Sequence, residues 1–127
     1  MYKRQIYGRS SIFLSPSLAE GWPLPPAEAA ACGCAIVSAN NGGVKEYVED
    51  EVTGLLSPVK DAESLAANIV RLFEDDRLRI MLAKACNQRI SGLDWERSTD
   101  RLETFLREKT RALKRVPQSQ DLEARTI

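Results

Sequence analysis

Short apolar runs closed by turn formers open the chain, and apolar stripes at helical spacing fill the rest. After a polar, basic stretch over residues 2–10, Ile12-Phe13-Leu14 runs into Ser15-Pro16-Ser17. A run of this kind predicts a short buried parallel strand near residues 11–15. Ala35-Ile36-Val37-Ser38 predicts a second strand over 35–38, and Thr53-Gly54-Leu55-Leu56, ended by Pro58, a third near 54–57. The loop over residues 20–26 is rich in Gly and Pro; Pro25 and Pro26 suit a helix start, where a fixed φ helps and the missing N–H costs nothing. A helix from Ala27 to Ala31 should stop at Gly33, which can take the left-handed conformation that ends helices. Asn40-Asn41-Gly42-Gly43 predicts a turn, then a short helical stretch through Tyr47.

Beyond Pro58 the period becomes helical. Asp61 is placed to cap a helix whose apolar face is Leu65, Ile69, Leu72 and Phe73. Leu78, Met81, Leu82 and Ala85 form a similar stripe up to Gly92. Asp94 caps a last helix that carries Trp95, Leu102, Phe105 and Leu106 inward, with Trp95 as its anchor in the core. Residues 116–127 contain Pro117, few apolar side chains and no period, so they are expected to fray.

The strand–helix alternation of the first half is a βαβαβ run, half of a doubly wound sheet. The expected fold is α/β and partly Rossmann-like, a three-stranded parallel sheet with helices. One domain spans residues 1–115, followed by the polar tail 116–127. The first strand has only the second as partner, so one flank of the sheet is expected to be missing. Its open edge predicts self-association, unless residues 2–10 or the last helix fold over it.

Lys plus Arg and Asp plus Glu are balanced at 18 each, so no global field draws the chain to nucleic acid. There is no histidine, which excludes Ser-His-Asp triads, Cys-His pairs and most catalytic zinc sites. Three cysteines, an odd number with no apolar signal core before them, fit a reducing cytoplasm. Cys32 and Cys34 read as small buried residues, since no fourth ligand is at hand for a metal. No run approaches the roughly 18 apolar residues of a membrane span. Arg107, Lys109, Arg111, Lys114 and Arg115 make the end of the last helix basic. That suits the helix dipole and a solvated face; contact with an anionic inner membrane surface is the second reading.

Ligands of open α/β sheets bind at the carboxyl ends of the strands, near helix N-termini. The loop Ser15 to Pro26 lies at such an end and holds Glu20, Gly21 and Trp22, with Glu28 on the first turns of the helix after it. Carboxylates suit sugar hydroxyls because each accepts several charge-assisted hydrogen bonds. Free N–H groups at a helix start suit phosphate. The pairing fits one molecule that carries both. Glu28 as an exposed helix residue, Glu20 as a solvated loop charge and Trp22 as loop packing are the plainer alternatives.

The stretch PSLAEGWPLPPAEAAACGCAIVSANNGGVKEYVEDEVTGLLSP closely resembles the signature segment of retaining glycosyltransferase family 4, group 1 glycosyltransferases of the GT-B fold. The later KDAESLAANIVRLFEDD and DWERS look like its continuation, and the resemblance covers about residues 5–107. It implies a donor-binding domain of an enzyme that moves a sugar from a nucleotide-diphosphate sugar to an acceptor with retention. That donor is a substrate; neither cofactor nor metal is implied. Glu20 would be catalytic, contacting the donor sugar and stabilising its developing positive charge, and Glu28 would bind the ribose hydroxyls. Backbone amides of Gly21, Trp22 and Leu24 would lie near sugar and phosphates. Gly42 and Gly43 would line the adjacent loop, with Glu46 supporting it.

Pro23 stands where many members of that family have a small residue with a free N–H. The family's phosphate-neutralising cations and acceptor-binding domain lie upstream of the matched segment, so the chain on its own is expected to be inactive. Two alternatives stand beside transfer. A related epimerase or phosphorylase is one, against which no lysine is placed for a pyridoxal cofactor. A fragment or partner module that binds without catalysis is the other.

Overall fold

The structure is a computed structural model describing residues 2–114, so the expected frayed tail, 116–127, lies outside the described residues. The chain divides into two compact units, Met1–Gly92 and Leu93–Ile127. The first contains a three-stranded parallel sheet in the order β1-β2-β3, built from β1 (Ile12–Ser15), β2 (Ala35–Ala39) and β3 (Leu55–Ser57). Ile12 pairs with Ala35, and Val37 with Leu55. All three strands fall where the apolar runs place them.

β2 is central and buried along its whole length, because helices cover both faces of the sheet. On one face Ile36 packs with Ala27, Ala29 and Ala30 of α2 (Leu24–Ala31), with Val44, Tyr47 and Val48, and with Cys86. On the other, Ala35, Val37 and Leu55 meet Leu65 and Leu72 of α3 (Ala62–Glu74) and Leu82 of α4 (Asp76–Ser91). The alternation of strand side chains decides this division.

Local signals work as expected at several ends. Asp61 Oδ1 accepts from the Ser64 amide at 2.9 Å to cap α3, and Asp94 Oδ1 from the Arg97 amide at 2.7 Å. Gly33, past the end of α2, has φ +93°. The turn before Tyr47 becomes a 3-10 helix, Gly43–Glu46.

Other expectations are corrected. Residues 2–10 contain a five-residue helix, α1 (Lys3–Tyr7). Tyr7 meets Phe13 edge-on with centroids 5.6 Å apart, and Cys34 Sγ donates to Tyr7 O and Ser10 O, each at 3.2 Å. Phe73 is 69% exposed; Leu65 and Leu72 alone are buried on α3. Met81 is also exposed, and the buried line of α4 is Leu82, Ala83 and Cys86. In the second unit, α5 (Trp95–Lys114) leaves Trp95, Leu102, Phe105 and Leu106 exposed. Among the described residues of its unit, this helix meets no second apolar surface against which to bury a stripe.

The two sheet edges differ. At β3 the Leu56 amide donates to Asp50 Oδ1 at 2.8 Å, Asn68 Nδ2 reaches Leu56 O at 3.5 Å, and the Glu51 amide donates to Gly54 O at 2.9 Å. At β1 the Ser11 carbonyl accepts from Ala35 on the β2 side. Alternation therefore turns the backbone of Ile12 and Leu14 outward, and among the described residues β1 pairs with β2 alone. Leu14 is 42% exposed there.

Candidate functional site

Every strand of a parallel sheet ends at the same edge, so the loops after β1 and β2 emerge side by side. Backbone contacts stitch them together. The Glu20 amide donates to Asn41 O at 3.2 Å, and the Gly43 amide to Glu20 O at 3.1 Å, forming a bridge between Glu20 and Gly42. Two glycines make this approach feasible. Gly42 sits at φ +90°, and a Cβ on Gly43 would lie 2.2 Å from the Gly21 carbonyl oxygen. Gly21 itself faces open space.

Glu20, Gly21, Gly42 and Gly43 are thus one cluster, with the Glu20 side chain exposed. Trp22 lies against Tyr47, ring centroids 5.0 Å apart, and stays 42% exposed. Part of its surface packs the loop while the rest faces solvent. The Tyr47 hydroxyl donates to Pro23 O at 2.6 Å, fixing the residue that lacks an amide proton. Burial pushes this phenol far above its usual range, so it stays a donor. Asn41 Oδ1 accepts from the Val44 amide at 3.1 Å and shapes the start of the 3-10 helix. Glu46 is exposed on that helix.

α2 begins at Leu24 beside the stitched loops; Pro23, Pro25 and Pro26 carry no N–H, so the helix dipole and the Leu24 amide are what this N-terminus offers an anion. Glu28, on the next turn, is placed differently. Its two carboxylate oxygens each accept from Lys3 Nζ at 2.9 Å. It lines a groove of about 410 Å³ with Lys3, Arg4, Tyr7, Ala31 and Cys32, and none of the Glu20 cluster lines that groove. Hydrogen bonding to Glu28 and its charge hold the Lys3 ammonium above its usual pKa. A second cavity, about 600 Å³, has Asn40, Lys45, Asp50, Ser57 and Arg89 on its walls.

Lys3 and Tyr47 were not singled out in the sequence. Val44, Tyr47 and Val48 recur at helical spacing, which marks Tyr47 as buried; no local pattern links Lys3 to a carboxylate 25 residues away. Among the described residues no group of three or more Cys, Asp or Glu side chains is arranged to hold a metal ion.

Residues 2–89 match the family described as glycosyl transferases group 1. D-inositol 3-phosphate glycosyltransferase of Saccharomonospora viridis is 34% identical over 103 residues, 81% of this chain and 24% of that protein. The chain therefore spans about a fifth to a quarter of the length of such relatives. Sucrose-phosphate synthase from Thermosynechococcus elongatus superposes with a TM-score of 0.76 at 31% identity, over 84% of this chain and 27% of that one. Anabaena HepE, solved in complex with UDP-glucose, gives 0.64 at 27% identity, over 69% of this chain and 24% of that one. The parallel sheet with its helices is the fold of GT-B glycosyltransferase domains.

Proposed function

This chain belongs to the group 1 glycosyl transferases, and on that premise we propose that it is the donor-binding part of a retaining, family 4 enzyme, from the C-terminal domain. The observation that carries the reading is the stitched pair of loops: Glu20 and Gly21 held against Gly42 and Gly43 beside the start of α2. Such a surface offers an acceptor carboxylate and backbone donors together, as a sugar joined to phosphate requires.

In this reading Glu20 stabilises the positive charge that grows on the donor sugar as its bond to phosphate breaks. The amides of Gly21, Trp22 and Leu24 take sugar and phosphate oxygens, and Pro23 contributes its shape only. Glu28 accepts the ribose hydroxyls. Gly42 and Gly43 let the second loop come close, and Glu46 supports it. The donor is a nucleotide-diphosphate sugar, used without metal or cofactor, with uridine the first nucleotide to test because HepE was solved with UDP-glucose. An acceptor-binding domain is the expected partner, and cytoplasmic glycan synthesis is the setting.

Calorimetry with UDP and GDP tests the binding. The chain alone should bind weakly, on the order of millimolar, and Glu28→Gln should weaken it about 5-fold or more. Submicromolar affinity, or indifference to Glu28→Gln, would overturn the reading. Retention is tested by proton NMR of the anomeric centre, in a protein joining this chain to an acceptor-binding domain. A binding module without transfer is the second reading. It predicts donor binding with no product in that same joined protein.

A further inference from the structure

Resting on the donor-binding reading, we propose that Lys3 sets the affinity of the nucleoside subsite by competing with the ribose for the Glu28 carboxylate. Both oxygens of Glu28 are taken, each by the same ammonium at 2.9 Å. A vicinal pair of ribose hydroxyls needs those same two acceptors. Each oxygen keeps a further lone pair, but the ammonium, equidistant from both, stands where a vicinal pair of hydroxyls would bridge them, so that bridging contact requires Lys3 to move aside.

The competition is between near equals, which is what makes it a control. The side chains of Lys3 and Glu28 are 71% and 38% exposed, so the pair is a surface ion pair of modest strength. Lys3 stands on a helix of five residues, and that helix is tied to the sheet farther along, at Tyr7 and Ser10. The tie leaves the Lys3 side chain able to turn away without unfolding its surroundings. Arg4 and Tyr7 line the same groove and remain beside the displaced lysine. Nothing in the competition involves phosphate, so it should be visible with an uncharged nucleoside.

The test titrates uridine and guanosine, both neutral at pH 7, into the whole chain by NMR chemical shift, and UDP and GDP in parallel. Lys3→Met keeps the side-chain length and removes the charge, and should tighten nucleoside binding about 2- to 5-fold. Lys3→Arg, which restores a bidentate partner, should return it to the wild-type value or below. Raising salt from 0.05 to about 0.5 M should tighten nucleoside binding to the wild type and leave Lys3→Met unchanged, because screening weakens only the pair. Unchanged or weaker binding by Lys3→Met overturns the competition. If diphosphates bind in a Glu28-dependent way while Lys3→Met is neutral, the donor-binding reading stands and this inference falls. If neither nucleosides nor diphosphates bind, both fall.

Discussion

Replacing Gly43 by alanine should unpick the stitched loops, while the same change at Gly21 should be nearly silent. A Cβ at position 43 would meet three backbone atoms: Gly21 O at 2.2 Å, Gly21 C at 2.5 Å and Glu20 O at 2.6 Å. None of these is the mobile end of a side chain, so the loops must separate. Separation strains or breaks the Gly43 to Glu20 hydrogen bond and the Glu20 to Asn41 bond, at 3.1 and 3.2 Å. Two such bonds contribute about 1–3 kcal/mol together, and forced overpacking costs a similar amount. The two costs are alternatives in part, so the expected loss is about 2–4 kcal/mol. At Gly21 nothing lies within 4 Å of the added methyl, and the loss should stay under about 0.5 kcal/mol. Urea unfolding followed by far-UV circular dichroism reads the difference. With a slope of about 2 kcal/mol per molar, Gly43→Ala should lower the midpoint by about 1–2 M and also abolish diphosphate binding. A midpoint within about 0.3 M of wild type would refute the close-approach argument.

Tyr47→Phe leaves the buried Pro23 carbonyl without its donor and should cost about 1–3 kcal/mol in the same assay; a neutral result would mean that water replaces the hydroxyl. The folded-state pKa of Tyr47 is raised by burial, so its stabilisation is complete below the unfolded value near pH 10 and is lost as pH climbs beyond it. Tyr47→Phe should therefore flatten the alkaline arm of the stability profile, and an unchanged arm would assign it elsewhere. The Cys86 thiol is pushed by burial from 9.0 up to about 11, so at pH 8 a thiol reagent should label the half-buried Cys32 first, whereas equal rates would contradict the burial. Trp95, Leu102, Phe105 and Leu106 with the basic residues of α5 should bind anionic but not zwitterionic vesicles, and lose that binding on Trp95→Ala plus Phe105→Ala; no pelleting in low salt would leave the basic residues to their dipole role. Sedimentation should show self-association at micromolar concentration that Leu14→Lys suppresses, and a monomeric wild type would mean that the β1 edge does not pair.

The three strands were legible because a parallel strand buried on both faces is an unbroken apolar run, and Ala35–Ser38 can be little else. Asp61, Asp94 and Gly33 were legible because capping is a local transaction completed within a few residues. Phe73, Met81 and the α5 stripe were misjudged for one reason: a period reveals which side of a helix is apolar, not how much surface exists to cover it. α1 was hidden because five residues, of which Ile6 and Tyr7 alone are apolar or aromatic, hold no full period; its order comes from Phe13 and from Cys34, 27 residues on from Tyr7. At the site, the grouping of Glu20 with the glycine turn follows from loops that leave adjacent parallel strands. The engagement of Glu28 by Lys3 is a tertiary event that neither neighbourhood announces.

The unequal edges of the sheet give the domain a polarity of growth. Asp50, Asn68 and the Glu51 amide close β3 with the chain's own atoms, so a further strand would have to strip them off before it could add. Among the described residues, the outward backbone of Ile12 and Leu14 asks for no such exchange. A strand supplied as a separate polypeptide, in a split-protein reconstitution, would therefore have a single landing place and a single order of assembly. A reporter fused to it would light up from the β1 side only.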